Sequence, residues 1–220
     1  MITRVDAERF ELVSESLYTP VIGDILDSLG CVHQFLPQPV QPLVATMTVV
    51  GRAMPVLIAD VFGAQAKAFG RLTEALDALQ PGDVYLARRS RLECAAWGEI
   101  MTAAARARGA AGAVIDGYHR DSNAVIGQNF PVFSRGGYGQ DAGVRASVLD
   151  FGVSVEINRV RVNPGDLIVG DRDGVVVVPA AMEDEVLELA LAKASTENVV
   201  RQAIELGMST TEALATYKVL

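Results

Sequence analysis

The segment from Asp83 to Asp116 constrains the fold more than any other part of this 220-residue chain. DVYLA, residues 83–87, reads as a short strand. GEIMTAAARARG is alanine-rich and reads as a helix from about Gly98 that stops at Gly109. GAVID, residues 112–116, is the next strand. Strand, helix and strand within about thirty residues make a βαβ unit, whose strands run parallel. Functional loops of such units gather at the carboxyl ends of the strands. The helix start near Gly98 and the residues just past Asp116 therefore share one edge.

The flanking segments add elements without adding a second domain. Thr19-Pro20 followed by VIGDILDSLG reads as a helix with an N-cap, a proline in its first turn and Gly30 closing it. HQFLPQPVQP is a proline-rich connector. Residues 43–59 are β-branched and interrupted by Gly51 and Pro55, which predicts two strands. AKAFGRLTEALDALQPGD predicts a helix ending at Pro81-Gly82. FPVFS and GVSVEINRVRV read as strands, NPGDLIVGDRDGVVVVP as two strands joined by a turn, and residues 180–207 as a helix with an acidic start. Hairpins beside one βαβ unit point to an α/β or α+β domain rather than a pure doubly wound sheet.

Composition narrows the class. Half the residues are hydrophobic and the net charge is −8, which disfavours nucleic acid and anionic membranes as partners. Cys31 and Cys94 are too few for a disulfide framework and form no CxxC pair. The opening MITRVDAERF has no apolar leader region, and no run of about 18 uncharged apolar residues occurs. The expectation is a reduced, cytoplasmic enzyme or binding domain of one unit, residues 1–220.

The edge of the βαβ unit carries Gly98, Glu99, Arg120 and Asp121. First-turn amides of Ile100 and Met101 can hold a carboxylate. Arg120 can bind another oxygen of the same ligand with its planar fork. Asp121 and Glu99 offer hard oxygen ligands, directly or through water, suited to Mg2+ or Mn2+. A metal beside a 2-oxo acid would polarise its carbonyl and stabilise an enolate. The competing reading of the same residues is a solvated turn with a helix-favouring glutamate.

Gly98-Glu99, twenty residues, then Arg120-Asp121 resembles the G-[D/E]-x20-R-D signature of the RraA-like superfamily, which includes the class II 4-hydroxy-4-methyl-2-oxoglutarate/4-carboxy-4-hydroxy-2-oxoadipate aldolases. TPVIGDILDSLG, VVGRAMPV, FPVFSRG and PGDLIVGDRDGVVVVP resemble further family blocks in the right order, from about Leu17 to Gly207. The resemblance implies an αββα sandwich of the swivelling β/β/α type with a long C-terminal helix, assembled as homotrimers or hexamers. It implies a divalent-metal-dependent lyase that releases pyruvate from 4-hydroxy-2-oxo acids and decarboxylates oxaloacetate. Arg120 would bind the carboxylate and carbonyl end of the substrate, and the amides of Ile100 and Met101 its carboxylate. Asp121 would ligate the metal, Glu99 would hold metal-bound water, and Glu197 of a neighbouring subunit would complete the shell. Position 99 is Glu where the well-studied aldolases carry Asp, one methylene shorter. Other superfamily members regulate ribonuclease by protein contact, and this is the alternative function. Asp121 points to the metal-dependent branch, because those regulators lack Asp after the motif arginine. A menaquinone methyltransferase activity, attached to some relatives, finds no glycine-rich cofactor motif here.

Other features weigh less. GYGQDA, residues 137–142, fits G-x-G-x-x-[G/A], but strand-like sequence follows where a dinucleotide site needs a helix. GDRDG, residues 170–174, lacks EF-hand spacing and reads as a turn. His33 and His119 cannot form a histidine-rich metal site without close non-histidine partners, and His119 beside Arg120 reads as a loop residue rather than a substrate contact. Cys94 reads as packing, and Trp97 as packing or pocket wall. Arg88, Arg89 and Arg91 match no known substrate preference.

Overall fold

The computed structural model describes residues 4–88 and 91–219. Helices α1 (Arg4–Ser16) and α2 (Thr19–Ser28) lead into short strand β1 (Gln41–Pro42), long strand β2 (Val49–Asp60), helix α3 (Leu72–Ala78) and strand β3 (Asp83–Arg88). Strand β4 (Ala95–Trp97), helix α4 (Glu99–Ala107), strand β5 (Gly112–Asp116), strand β6 (Tyr118–His119), helix α5 (Ser122–Gly127) and strand β7 (Val132–Ser134) follow. The last part holds β8 (Ala146–Phe151), the β9 (Val155–Ile157) and β10 (Val160–Val162) hairpin, β11 (Leu167–Asp171), β12 (Gly174–Val178), α6 (Glu183–Glu205) and α7 (Thr210–Tyr217). Among the described residues no helix is long and apolar enough to cross a membrane.

The main sheet runs β1-β7-β5-β3-β2-β11-β12, with β8 also on β2. β2, β3, β5 and β7 are parallel, while β11, β12 and β8 add antiparallel pairs. The proline-rich connector nearly closes this sheet. Its residues bond to β12 (Val177 N to Gln34 O and Leu36 N to Val175 O, both 2.9 Å) and then run on to pair with β7 through β1.

Alternation along the strands sorts side chains into three cores. Val84, Leu86, Ile168, Val175 and Val177 fill the interior of the curled sheet. Tyr85, Ala87, Ala113 and Ile115 face outward under α3, α4 and α5. Leu167, Val169, Val176 and Val178 face outward on the other wall, under α1, α2 and α6. Helices, wall, wall and helices give the αββα sandwich in one domain.

Four details depart from the sequence reading. Residues 43–59 do not form two strands: Val49–Asp60 is one strand of twelve residues. Pro55 is tolerated because Ala53 N, on the same edge of β2, bonds Asp166 O, and two residues on the neighbour changes from β11 to β8. The missing N–H of Pro55 falls in that gap. Gly51 is needed because a Cβ there would strike Gly82 O. Thr19 does not cap α2 with its hydroxyl; Tyr18 holds the N-cap position, and Asp171 of β11 takes both Thr19 N and Thr19 Oγ1 at 2.7 Å. Elements α1, α5, α7 and β8 carry no sequence expectation, and α3 is one short helix rather than a long one.

Candidate functional site

The twenty-residue spacing works because β4 and β6 pair as a small parallel sheet beyond the ends of β3 and β5. Trp97 pairs with His119, and Arg120 N donates to Trp97 O at 2.9 Å. The two chain passes therefore leave that pair side by side, one entering α4 at Gly98 and the other entering α5 at Asp121. Gly98 is buried and extended, and a Cβ there would lie 2.8 Å from Asp121 Oδ2. Glycine is required by that approach. Asp121 sits in the left-handed region (φ 58°, ψ 36°), a conformation aspartate tolerates better than most residues.

That backbone aims the Asp121 carboxylate at the start of α4. Its Oδ2 accepts from Glu99 N at 3.3 Å and lies 3.7 Å from Arg120 Nε. Arg120 Nη1 meets Asp141 Oδ1 at 2.9 Å, and Asp141 Oδ2 is fixed by Gly143 N at 2.8 Å. Thr102 N bonds Gly98 O, so the amides of Ile100 and Met101 belong to the unpaired first turn. A cavity of about 240 Å³ opens here, with Gly98, Glu99, Ile100, Met101, Arg120 and Asp121 all on its lining.

Beneath the loop, a buried network holds it in place. His119 is buried with Nδ1 at 2.8 Å from Ser134 Oγ and Nε2 at 2.9 Å from Ser122 Oγ. Burial pushes the imidazole below the usual histidine range and favours the neutral ring. Trp97 both packs and lines the cavity: its Nε1 donates to Thr102 Oγ1 at 2.8 Å, and its ring stacks on Phe130.

The structure brings together every predicted site residue except Glu197. Glu197 lies on α6, in the opposite helical layer, where it accepts from the Tyr18 hydroxyl and pairs with Lys193 at 3.7 Å. His33 is exposed and lines a separate cleft beside Asp27 and Cys31. Cys94 is core packing. Arg88 and Arg91 do not line the cavity, and Arg89 lies outside the described residues. GDRDG is the turn between β11 and β12.

Sequence reasoning missed Asp141. It belongs to GYGQDA, the segment whose glycines fit a dinucleotide loop without the helix such a loop needs. No helix follows it; the chain turns at Asp141–Gly143 and enters β8. The only signal was an acidic residue in a glycine-rich return to the same sheet edge.

The donor set bears on a metal. Among the described lining residues Glu99, Asp121 and Asp141 stand against one cation, Arg120, and an anionic ligand placed among them calls for a compensating cation. Among the described residues no group of three His, Cys, Asp or Glu side chains could hold a metal by itself. One or two carboxylates with retained waters is the ordinary donor set for Mg2+ and its neighbours, so the residues fit a water-rich site and not a closed cage.

Comparison with known proteins converges on one group. Residues 19–177 match the family model described as RraA-like: Aldolase/RraA. A Halalkalibacterium halodurans protein named "Putative 4-hydroxy-4-methyl-2-oxoglutarate aldolase" is 34% identical over 188 residues, 84% of each chain. The crystal structure of an uncharacterized Pseudomonas syringae protein superposes with a TM-score of 0.86 at 34% identity, covering 99% of this chain and 97% of that one. Streptomyces coelicolor RraAS2, described as an unusual member of the RNase ES inhibitor RraA protein family, gives 0.79 at 25% identity, covering 90% and 98%. A family model spanning most of the chain, carried on the matching fold and motif, shows that this protein belongs to the RraA-like family.

Proposed function

We propose that the protein is a metal-dependent aldolase that releases pyruvate from 4-hydroxy-2-oxo acids and decarboxylates oxaloacetate. The observation that supports this most is the placement of Arg120 and Asp121 against the first turn of α4, with Gly98 making room. The name of the Halalkalibacterium relative points to the same reaction class.

Each residue has a task in this reading. The guanidinium of Arg120 has five N–H donors, so its contacts with Asp121 and Asp141 leave others for a substrate carboxylate and its 2-oxo oxygen. The amides of Ile100 and Met101 hold the far carboxylate oxygen. Asp121, with Glu99 acting through water and Glu197 contributed by a neighbouring copy in a trimer or hexamer, would hold Mg2+ or Mn2+. When bound, that cation supplies polarisation of the 2-oxo group. Asp121 also orders the water that carries the proton away from the C4 hydroxyl. Oxaloacetate fits because loss of CO2 from its C3 leaves the same pyruvate enolate for Arg120 to stabilise.

The test is pyruvate release from a panel of 4-hydroxy-2-oxo acids and oxaloacetate, with Mg2+ or Mn2+ and with EDTA. Turnover that needs the cation and stops with EDTA is expected. Full turnover in a metal-stripped sample would remove the metal-dependent reading. The likeness to the Streptomyces protein supports a second reading, a non-catalytic regulator that binds a ribonuclease; ribonuclease binding with no turnover on the panel would select it.

A further inference from the structure

Asp141 has no task of its own in the proposed reaction, yet the fold fixes its backbone and both of its carboxylate oxygens. Its backbone is bridged to Ala95 of β4, and Ala95 N donates to Gln140 O at 2.8 Å. The Asp141 carbonyl accepts from Arg145 Nη1 at 3.0 Å. Oδ2 accepts from Gly143 N at 2.8 Å, and a Cβ on Gly143 would lie 2.7 Å from that same oxygen. The other oxygen, Oδ1, is thereby aimed at Arg120 Nη1, 2.9 Å away. Earlier in the same segment Gly137 is bridged to His119 of β6. One segment therefore spans both strands that deliver Gly98 and Asp121. It sets its own carboxylate on a different guanidinium nitrogen from the one nearest Asp121.

The distances show which carboxylate holds the arginine. Asp141 meets Nη1 at 2.9 Å, whereas Asp121 Oδ2 stands 3.7 Å from Nε, outside hydrogen-bond reach. Stability does not explain the arrangement. The side chains of Arg120 and Asp141 are 40% and 44% exposed, and an ion pair so exposed adds little to folding. What the contact changes is the state of Asp121. Arg120 and Asp121 are chain neighbours, and without Asp141 the guanidinium would close onto Asp121 by Coulomb attraction. A closed pair occupies both the fork that a substrate carboxylate needs and the oxygens that a cation needs. We infer that Asp141 is a positioning residue that draws the Arg120 guanidinium off Asp121, leaving the arginine open to the substrate carboxylate and Asp121 open to the cation. The inference rests on the aldolase reading for what those two ligands are.

Two variants of the full chain test this. Asp141→Asn removes the charge that holds Arg120, and Gly143→Ala keeps that charge while pushing the carboxylate off its place. Calorimetry reads the affinity for Mn2+ alone and for pyruvate in the presence of Mg2+, with kcat and KM for oxaloacetate measured beside them. Both variants are expected to lose on the order of tenfold in Mn2+ affinity and in pyruvate affinity, with the thermal midpoint hardly moved. The loss should fall on KM more than on kcat, because a bound substrate reopens the Arg120–Asp121 pair. A carboxylate that only adds negative charge to the site gives a different pattern: Asp141→Asn would bind pyruvate more tightly, and Gly143→Ala would match wild type. That pattern overturns the inference, as does wild-type affinity for both ligands in both variants. Affinity lost only in step with a falling midpoint also overturns it, and assigns Asp141 to the scaffold. A wild-type chain that binds neither Mn2+ nor pyruvate and releases no pyruvate removes the aldolase reading, and the inference with it. Wild-type binding and release with unaffected variants removes the inference alone.

Discussion

The Arg52 cluster and the Arg120 cluster draw on the same kinds of side chain, arginine and carboxylate, on opposite sides of the sandwich. In the first, Glu183 at the start of α6 is nearly buried, with a side chain 4% exposed, and is held by both Arg9 and Arg52. Arg52 also holds Asp6, Arg9 also holds Asp184 at 2.7 Å, and Phe10 covers the Arg52 guanidinium. Two cations meet three carboxylates, and the contacts tie α1, β2 and α6 together. In the second, one guanidinium 40% exposed faces Asp121 and Asp141 beside unpaired helix amides. The first cluster satisfies itself and joins layers. The second sits at strand ends with its one guanidinium 40% exposed beside unpaired helix amides, and retains donors for a ligand. Pairing within a cluster, more than its composition, separates scaffold from site.

The largest expected effect breaks the scaffold cluster. Glu183→Ala leaves Arg52 and Arg9 partly buried with one carboxylate fewer. Removing one partner of such a pair costs about 3 kcal/mol, which for a domain of this size lowers the thermal midpoint by roughly 6–12 °C. Calorimetric melting is the check. Pyruvate release well below the transition should stay near the wild-type rate; a loss of turnover without a loss of midpoint would reverse the assignment of the two clusters.

Arg120→Lys is the counterpart on the other side. Lysine keeps the charge and loses the planar fork. Removing a preorganised donor from a developing oxyanion costs on the order of 100-fold in turnover. The expected result is that fall in kcat for both aldol cleavage and oxaloacetate decarboxylation, with a thermal midpoint that hardly moves. Near wild-type kcat on both substrates would make Arg120 a solvated turn residue.

The same contrast explains what the sequence could reveal. The βαβ unit was legible because each element is a contiguous segment with its own stop signal, Gly109 for α4 and the turn after Asp116 for β5. Gly98, Glu99, Arg120 and Asp121 were legible because the residues that align them, β4 and β6, lie inside that unit. Asp141 arrives from a turn with no period, and its meaning depends on a contact across twenty-one residues. Strand β8 was missed because ASVLDF breaks alternation, and its pairing with β2 itself shifts register between Leu57 and Ile58. The continuity of β2 through Pro55 depends on a change of neighbour that only the folded sheet contains. The Arg52 cluster was illegible for the same reason: Asp6, Arg52 and Glu183 are far apart along the chain.

Gly98→Ala sharpens the comparison at the site itself. The added Cβ would stand 2.8 Å from Asp121 Oδ2, closer than a real Cβ tolerates. The carboxylate must shift, and a displaced metal-orienting group typically loses on the order of tenfold in metal affinity. Mn2+ titration should show that loss with little change in melting. Unchanged Mn2+ affinity would mean that Asp121 is not the ligand.

The smallest effect concerns Glu197, the one predicted site residue found in the opposite layer. Its hydrogen bond pushes the Tyr18 phenol up to about 12, with partial burial adding to the shift. An unfolded tyrosine titrates near ~10, so the folded state holds the phenolic proton more tightly. The stability this contributes is fully present below about pH 10 and is lost as pH rises through about 12. Tyr18 is 42% exposed, so solvent screening keeps the contribution small; we expect it to stay under about 1 kcal/mol. Tyr18→Phe should therefore lower the urea midpoint slightly at pH 8, and the gap from wild type should shrink at pH 11. A gap that is the same at both pH values would show that the Tyr18 proton plays no part. No gap at either pH would show that Glu197 is engaged elsewhere in the assembled protein, as its proposed role in a neighbouring copy's site requires. The outcome thus decides whether Glu197 belongs with the self-satisfied cluster of its own layer or with the carboxylates left open around Arg120.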